Sequence, residues 1–180
     1  MFGWLRGSKR QAEEPLSAWR TACAAALEGD RSLPLEELRR RLASAAETEA
    51  DVEVENEMLE ALERLQALED AGTLPVVETQ HRVIGGDACH FTAPASLPDD
   101  PGQASGRVLL TPARAIFVGS GRSAATAWHA VHQVARLDRD VLLVRADGTA
   151  AAQFRFNTFG DAVESAYLAR RLKGGPSRRL

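Results

Sequence analysis

The chain has 180 residues, 44% of them apolar and 26% charged, with a formal net charge of −3 at pH 7. That length holds one or two domains with a real core, and the balance is that of a folded globular chain, not a disordered or fibrous one. No run approaches the ~18 consecutive apolar residues of a membrane-spanning helix. The start, MFGWLRGSKR, lacks the apolar stretch of a secretory signal. The two cysteines, Cys23 and Cys89, lie in different segments without CxxC or metal-ligand spacing; reduced thiols in a cytoplasm are the simplest expectation.

The small net charge conceals a division. Residues 1–10 carry Arg6, Lys9 and Arg10; residues 11–80 hold 17 acidic and 6 basic side chains; residues 81–180 hold 8 acidic and 13 basic. Such a split predicts two parts with different surfaces. The positive half is too mildly charged for a nucleic-acid interface, where a clustered basic stripe is expected.

In chain order, residues 15–28 predict a helix. Ser17 can cap it, Leu16, Trp19, Cys23 and Ala26 form a stripe at helical spacing, and Gly29 ends it. A second helix is expected from about Ser32, with Pro34 in its first turn and Leu35, Leu38, Leu42 and Ala45 as its seam. Thr48 and Asp51 have the spacing of a capping box for a third helix. Its stripe is Val54, Met58, Ala61, Leu65 and Leu68, widened by Leu59 and Leu62 and closed by Gly72. The seam is too short for a coiled coil, so packed helical hairpins are expected ahead of a homodimer seam, and without the break near Thr48 helices two and three would run on as one. The acidic face (Glu53, Glu55, Glu57, Glu60, Glu63) reads as solvated, or as docking the chain's positive half within the chain or across a dimer.

After residue 73 the pattern becomes strand-like. ACHFTAP predicts a strand, SLPDDPGQASG a polar loop, and ASGRVLLTPARAIFVGSG a hairpin turning at Thr111–Arg114, where Pro112 pre-sets φ. GSGRS predicts a further turn and TAWHAVHQVARLD a third apolar stretch; DVLLVRADGTAAAQFRFN predicts two strands around Asp147-Gly148. Phe154 and Phe156 alternate with Gln153, Arg155 and Asn157, as in a half-buried strand. A last helix is capped by Thr158 with Asp161, and Phe159, Ala162, Val163, Ala166, Tyr167 and Arg170 lie on its expected buried face. KGGPSRRL is expected to fray.

GRVLLTPARAIFVGSGRS together with FRFNTFGDAVESAYLARRL resembles the hairpin and terminal helix of bacterial PH-like (GRAM-like) domains. Gly106, Leu110, Thr111, Arg114, Ile116 and Phe117 stand at the matching positions, and the resemblance spans about residues 70–173. Val108 and Ala115 replace the commoner Leu, and Pro112 a polar residue. The resemblance implies an α+β chain: N-terminal helical hairpins, then a PH-like bent-sheet barrel capped by a C-terminal helix. The expected organisation is a flexible start over 1–14, a helical segment over 15–73, the PH-like domain over 74–173 and a flexible tail over 174–180. Gly106, Leu110, Thr111, Arg114, Phe117, Phe154, Phe156 and Tyr167 are the residues expected to define this fold.

The residues offer little chemistry. A zinc site wants three or four convergent ligands; Cys89 and His90 would point to opposite faces of a strand, and His81, His129 and His132 are scattered. No metal or cofactor is expected; a buried cysteine and surface imidazoles are the simpler expectation. GSGRSA precedes a strand, where a phosphate loop precedes a helix, and no G-x-S-x-G elbow occurs, so an enzyme is not expected. PH-like domains often hold phosphoinositides through bases of the first hairpin loop, as the resemblance implies. The corresponding loop here has Asp99 and Asp100 and no base before Arg107, which disfavours that mode. The expected function is a non-enzymatic interaction or scaffold protein binding a protein partner or itself through the acidic helices or the sheet's exposed edge, in the cytoplasm and not on nucleic acid. The alternative is a peripheral protein at the inner face of an anionic membrane, with Phe2, Trp4, Arg6, Lys9 and Arg10 as contacts.

Overall fold

The structure is a computed structural model that describes residues 5–30, 32–47, 51–100, 102 and 104–174, with backbone only for residues 5–15. It comprises α1 (Leu5–Leu27), α2 (Leu35–Ala46), α3 (Glu53–Ala71), seven strands β1 (Phe91–Ser96), β2 (Ser105–Leu110), β3 (Arg114–Gly119), β4 (Arg122–Ala127), β5 (Gln133–Leu137), β6 (Asp140–Val144) and β7 (Ala150–Phe156), and α4 (Phe159–Lys173). This is an α+β chain with helices before and after an antiparallel sheet. It divides into two compact units, Met1–Gln66 and Ala67–Leu180, a division inside α3 and ahead of the boundary expected at 73/74.

In the helical unit, α1 starts at Leu5, ten residues before its expected start. The residues preceding Pro15 are largely good helix formers, and the helix runs through the proline. The expected stripe Leu16, Trp19, Cys23 and Ala26 is buried, and the Trp19 indole donates to the Leu38 carbonyl on α2 at 2.8 Å. Pro34 stands at the N-cap of α2 instead of within its first turn, and Leu38 and Leu42 are buried. The break before α3 is real, but Thr48 lies outside the described residues; Asp51 Oδ1 accepts the Glu53 N–H at 3.2 Å.

The buried stripe of α3 follows the expected one along most of the helix and departs from it at the N-terminal end. Leu59, Ala61, Leu62 and Leu65 are buried as expected, the buried face also takes in Glu55, and Val54 is 59% exposed. At that end an ion pair occupies the buried position. Arg20 of α1 brings Nε and Nη2 to Glu55 Oε1, both at 2.5 Å, and Glu55 is only 1% exposed. The expectation of a wholly solvated acidic face is therefore corrected: Glu55 is internal, and Glu63 accepts from Arg39 of α2 at 2.6 Å. Periodicity alone counts a carboxylate as a solvent position, so it cannot find one buried against a guanidinium.

The sheet has the order β4-β3-β2-β1-β7-β6-β5. β1 pairs along its length with β2 but meets β7 only at Ala95↔Phe156 and Ser96↔Arg155, so the sheet bends at this short seam. β4 and β5 are its edges. One face and α4 enclose a core containing Val108, Leu110, Phe117, Phe154, Phe156, Ala162, Ala166, Leu168 and Leu172. Each fully buried large side chain contributes about 1.5–3 kcal/mol. The other face is covered at β2 and β3, where Cys89 and Ile84 pack on Leu109 and Ile116.

Turn chemistry agrees closely with the sequence pattern in one hairpin and less so in another. At Thr111–Arg114 the Thr111 Oγ1 accepts the Arg114 N–H at 3.2 Å, and the Thr111 N–H donates to the Arg114 carbonyl at 3.0 Å. The Asp147-Gly148 turn is longer than the expected two residues. Val144 pairs with Ala150, the Arg145 N–H reaches the Thr149 carbonyl at 2.8 Å, and Gly148 takes φ 83°. The register then slips beside Leu143/Val144, leaving a bulge at Ala151. Thr158 caps α4 as expected, accepting the Asp161 N–H at 3.1 Å. α4 also buries Ser165, Leu168, Ala169 and Leu172, more than the single face expected, because the bent sheet flanks it from several strands.

Candidate functional site

The Ala67–Leu180 unit carries an open cleft of about 350 Å³, at the small end of the range for binding sites. One wall is the edge strand β4 at Ala124–Thr126; the opposite wall is β7 at Ala150–Phe154; the β1–β2 connection supplies Leu97, Asp99 and Asp100. Both walls are built from small residues, so the backbone lies close to the cleft surface. Phe154 is the one buried aromatic among the lining residues.

The strand pairing explains why the cleft stays open. β4 has β3 on one side only. Gly119↔Arg122 closes the two-residue turn Ser120-Gly121, and pairing then alternates along the ladder. Arg122, Ala124 and Thr126 thus turn their main-chain groups to β3, and the Trp128 N–H continues the series by donating to the Ala113 carbonyl at 3.2 Å. Ser123, Ala125 and Ala127 turn theirs outward. Across the cleft, β7 pairs with β6 from Ala150 to Arg155, apart from the bulged Ala151, but with β1 only at Arg155 and Phe156, so Ala150–Phe154 has no strand on that side. The Ala151 bulge falls in this stretch.

Charge at the mouth is uneven. Arg122 Nη1 is ion-paired with Asp100 Oδ2, and Asp100 Oδ1 accepts the Gly102 N–H at 3.0 Å. Asp99, exposed beside them, has no partner among the described residues. Matching Arg122 to Asp100 leaves one negative charge over. Thr126 adds a hydroxyl, while the Gln153 amide is turned to Asp140 at 3.4 Å. This inventory can accept and donate hydrogen bonds and attract a cation.

Among the residues singled out by resemblance, Leu110, Phe117, Phe154, Phe156 and Tyr167 lie in or against the main core, and Phe154 also lines the cleft. A Cβ on Gly106 would lie 2.2 Å from the Val118 carbonyl oxygen, so the β2–β3 crossing admits no side chain there. Leu110, Thr111 and Phe117 are fully buried, and Tyr167 packs on the core from α4. Phe156 meets Phe91 edge-on at 5.9 Å. Arg114 Nη2 donates to the Val83 carbonyl at 3.4 Å, and its buried Nε has no partner among the described residues.

Of the candidate membrane contacts, Phe2 and Trp4 lie outside the described residues, and Arg6, Lys9 and Arg10 belong to the α1 backbone, their side chains undescribed. Among the described residues no helix is long and apolar enough to cross a membrane, and no three His, Cys, Asp or Glu side chains gather into a metal-holding group. Cys89 Sγ donates to the Phe91 carbonyl at 3.1 Å; His90, expected at the surface, is buried with Nδ1 2.6 Å from the Pro75 carbonyl. Both cysteines are free, and burial pushes the Cys23 thiol up to about 11 and raises that of Cys89.

The cleft itself is not legible in the sequence. Arg122–Ala127 is a strand of small residues without alternation, and its pattern divides between a turn and an apolar stretch. The one local signal is Ser120-Gly121: a two-residue turn after β3 obliges the next strand to pair back upon it.

What the two units define is a class of architecture, a helical unit joined to a bent seven-stranded antiparallel sheet with a C-terminal helix. No family model and no curated protein matches the chain. Among solved structures it is similar to the crystal structure of the C-terminal domain of an unknown protein from Leishmania infantum, at 8% identity and a TM-score of 0.41, over 50% of this chain and 88% of that one.

Proposed function

We propose that this chain is a non-enzymatic protein-interaction module, with a PH-like sheet as its scaffold and the cleft beside β4 as its contact surface. The observation that carries this reading is the state of that edge. β4 is exposed along Arg122–Ala125, and beyond Arg122 it has no charge, proline or covering element among the described residues. Sheet edges in folded proteins are ordinarily blunted by such devices. The sequence resemblance over residues 70–173 and the sheet order with β1 at the bend support the PH-like scaffold. Two buried, unpaired cysteines support a reducing, cytoplasmic setting. Fold does not carry function, so the reading rests on the cleft.

A photo-crosslinking residue placed at Ala124, with one at Glu60 as control, tests it in cells. The expected result is a discrete adduct with one polypeptide from Ala124 alone. In parallel, the full chain is sedimented with anionic and neutral vesicles, where no pelleting is expected. Equal or absent adducts at both positions, together with pelleting on anionic vesicles that requires residues 1–10, overturn this reading in favour of a peripheral membrane protein.

A further inference from the structure

We infer that the cleft receives an extended peptide segment that adds to β4 as an eighth strand, with small side chains facing the alanine walls and a Lys or Arg side chain reaching Asp99. The inference rests on the interaction reading above and specifies the partner's chemistry.

The two sheet edges differ in what covers them. On β5, Leu137↔Asp140 closes a two-residue turn, so Val134 turns its carbonyl outward. That carbonyl is occupied: Arg170 of α4 donates to it from Nε at 3.3 Å. Arg136, next along the edge, lays its guanidinium over the Phe159 ring at 4.9 Å. The β5 edge is thus covered by the chain's own helix and arginines. On β4 the corresponding outward groups belong to Ser123, Ala125 and Ala127, and nothing among the described residues takes them.

A strand-sized ligand also needs a place to lie, and the second wall supplies it. Because β7 leaves β1 after two paired residues, the side of Ala150–Phe154 toward the cleft is open. A peptide pairing with β4 would therefore lie over a floor of alanines and Phe154, in a space of about 350 Å³. That volume admits a few small residues and excludes a bulky folded element. Strand addition draws affinity from main-chain hydrogen bonds and selects sequence through alternate side chains.

The charge selects further. Arg122 is neutralised by Asp100, so the uncompensated group at the mouth is the Asp99 carboxylate. A phosphate or acidic peptide is repelled there; a basic side chain is attracted, more strongly at low ionic strength.

The test is selection of a displayed library of random linear peptides against the full chain. Synthetic copies of the enriched peptides are then measured by titration and by amide hydrogen exchange. The expected peptides carry a basic residue beside a run of small or β-branched residues. They slow exchange at Ser123 and Ala125 at least tenfold, and they bind at least tenfold more weakly to Ala125→Pro and to Asp99→Lys. Proline at 125 removes an outward N–H and no ladder bond, a position edge strands accept. Should Ala125→Pro fail to fold, the exchange pattern on the unmodified chain and the Asp99→Lys titration decide alone. The inference is overturned if no peptide is enriched, if bound peptides leave Ser123 and Ala125 unprotected, or if those amides become protected merely with rising protein concentration, which assigns the edge to a second copy. An Ala124 adduct in cells combined with any of these keeps the interaction reading and discards strand addition.

Discussion

Gly106→Ala is the sharpest perturbation of the sheet. Gly106 pairs with Ala95 on one side and Gly119 on the other. An alanine Cβ there would stand 2.2 Å from the Val118 carbonyl oxygen, 2.7 Å from Gly119 Cα and 2.8 Å from the Val118 carbonyl carbon. Ordinary carbon–oxygen contacts begin near ~3.3 Å, so the strands must part by about 1 Å. All three obstructing atoms are backbone, and no rotamer change relieves them. Overpacking of this kind costs about 1–3 kcal/mol, and a clash with backbone belongs at the upper end. Alanine recovers about 0.5–1 kcal/mol by restricting the unfolded chain. The net is about 2 kcal/mol, or a fall in Tm of roughly 4–8 °C for a chain of this size. Thermal and urea unfolding measured by circular dichroism, beside Gly86→Ala as a control with open space around it, test this. If Gly106→Ala melts within a degree of the parent, the close crossing of β2 and β3 is not a constraint and the argument fails.

Three further outcomes are expected. Trp128→Phe removes the indole bond to the Thr111 carbonyl, 2.8 Å long and buried, and should cost about 1–3 kcal/mol in urea unfolding because the carbonyl is left unpaired; an unchanged midpoint would show that water replaces the indole. Arg20→Ala strands the buried Glu55 carboxylate; half-exposure of the arginine lets solvent soften the loss, which should be about 2–3 kcal/mol, whereas Arg20→Met with Glu55→Leu should be close to neutral. A double-mutant cycle with no coupling would contradict the pairing. The Cys23 thiol, raised to about 11 from 9.0 by burial, keeps its proton in the folded chain after the unfolded chain has lost its own. The folded state therefore binds more protons across pH 9–11, and stability falls as pH rises through that window. The fall should be about 3 kcal/mol and absent in Cys23→Ala, where a persisting slope would assign it to other groups.

The division between what is legible in the sequence and what is not reflects the range of the interactions. Local signals are readable residue by residue: the helical stripe Leu16–Ala26, the Thr111–Arg114 turn with its threonine cap, the alternation of Phe154 and Phe156, and the Thr158 cap of α4. Each depends on groups a few positions apart, so spacing and residue type suffice to determine it. The α+β class is legible for the same reason, since the change from helical to alternating pattern occurs within the chain itself.

Other features are decided only by tertiary contacts. Glu55 is internal because Arg20, 35 positions away, meets it, which adds a carboxylate to the buried face of α3. His90 is buried because the Leu74–Cys89 segment returns across it to place the Pro75 carbonyl within reach. The cleft exists because β1 releases β7 after two residues, so that two stretches of alanine, neither distinctive in sequence, face each other across an unfilled gap. Small residues carry almost no local signal, and an unpaired edge is a property of which strands are neighbours. Only the completed sheet order, with β4 and β5 left as its ends, specifies where such an edge is and that one of the two is left uncovered.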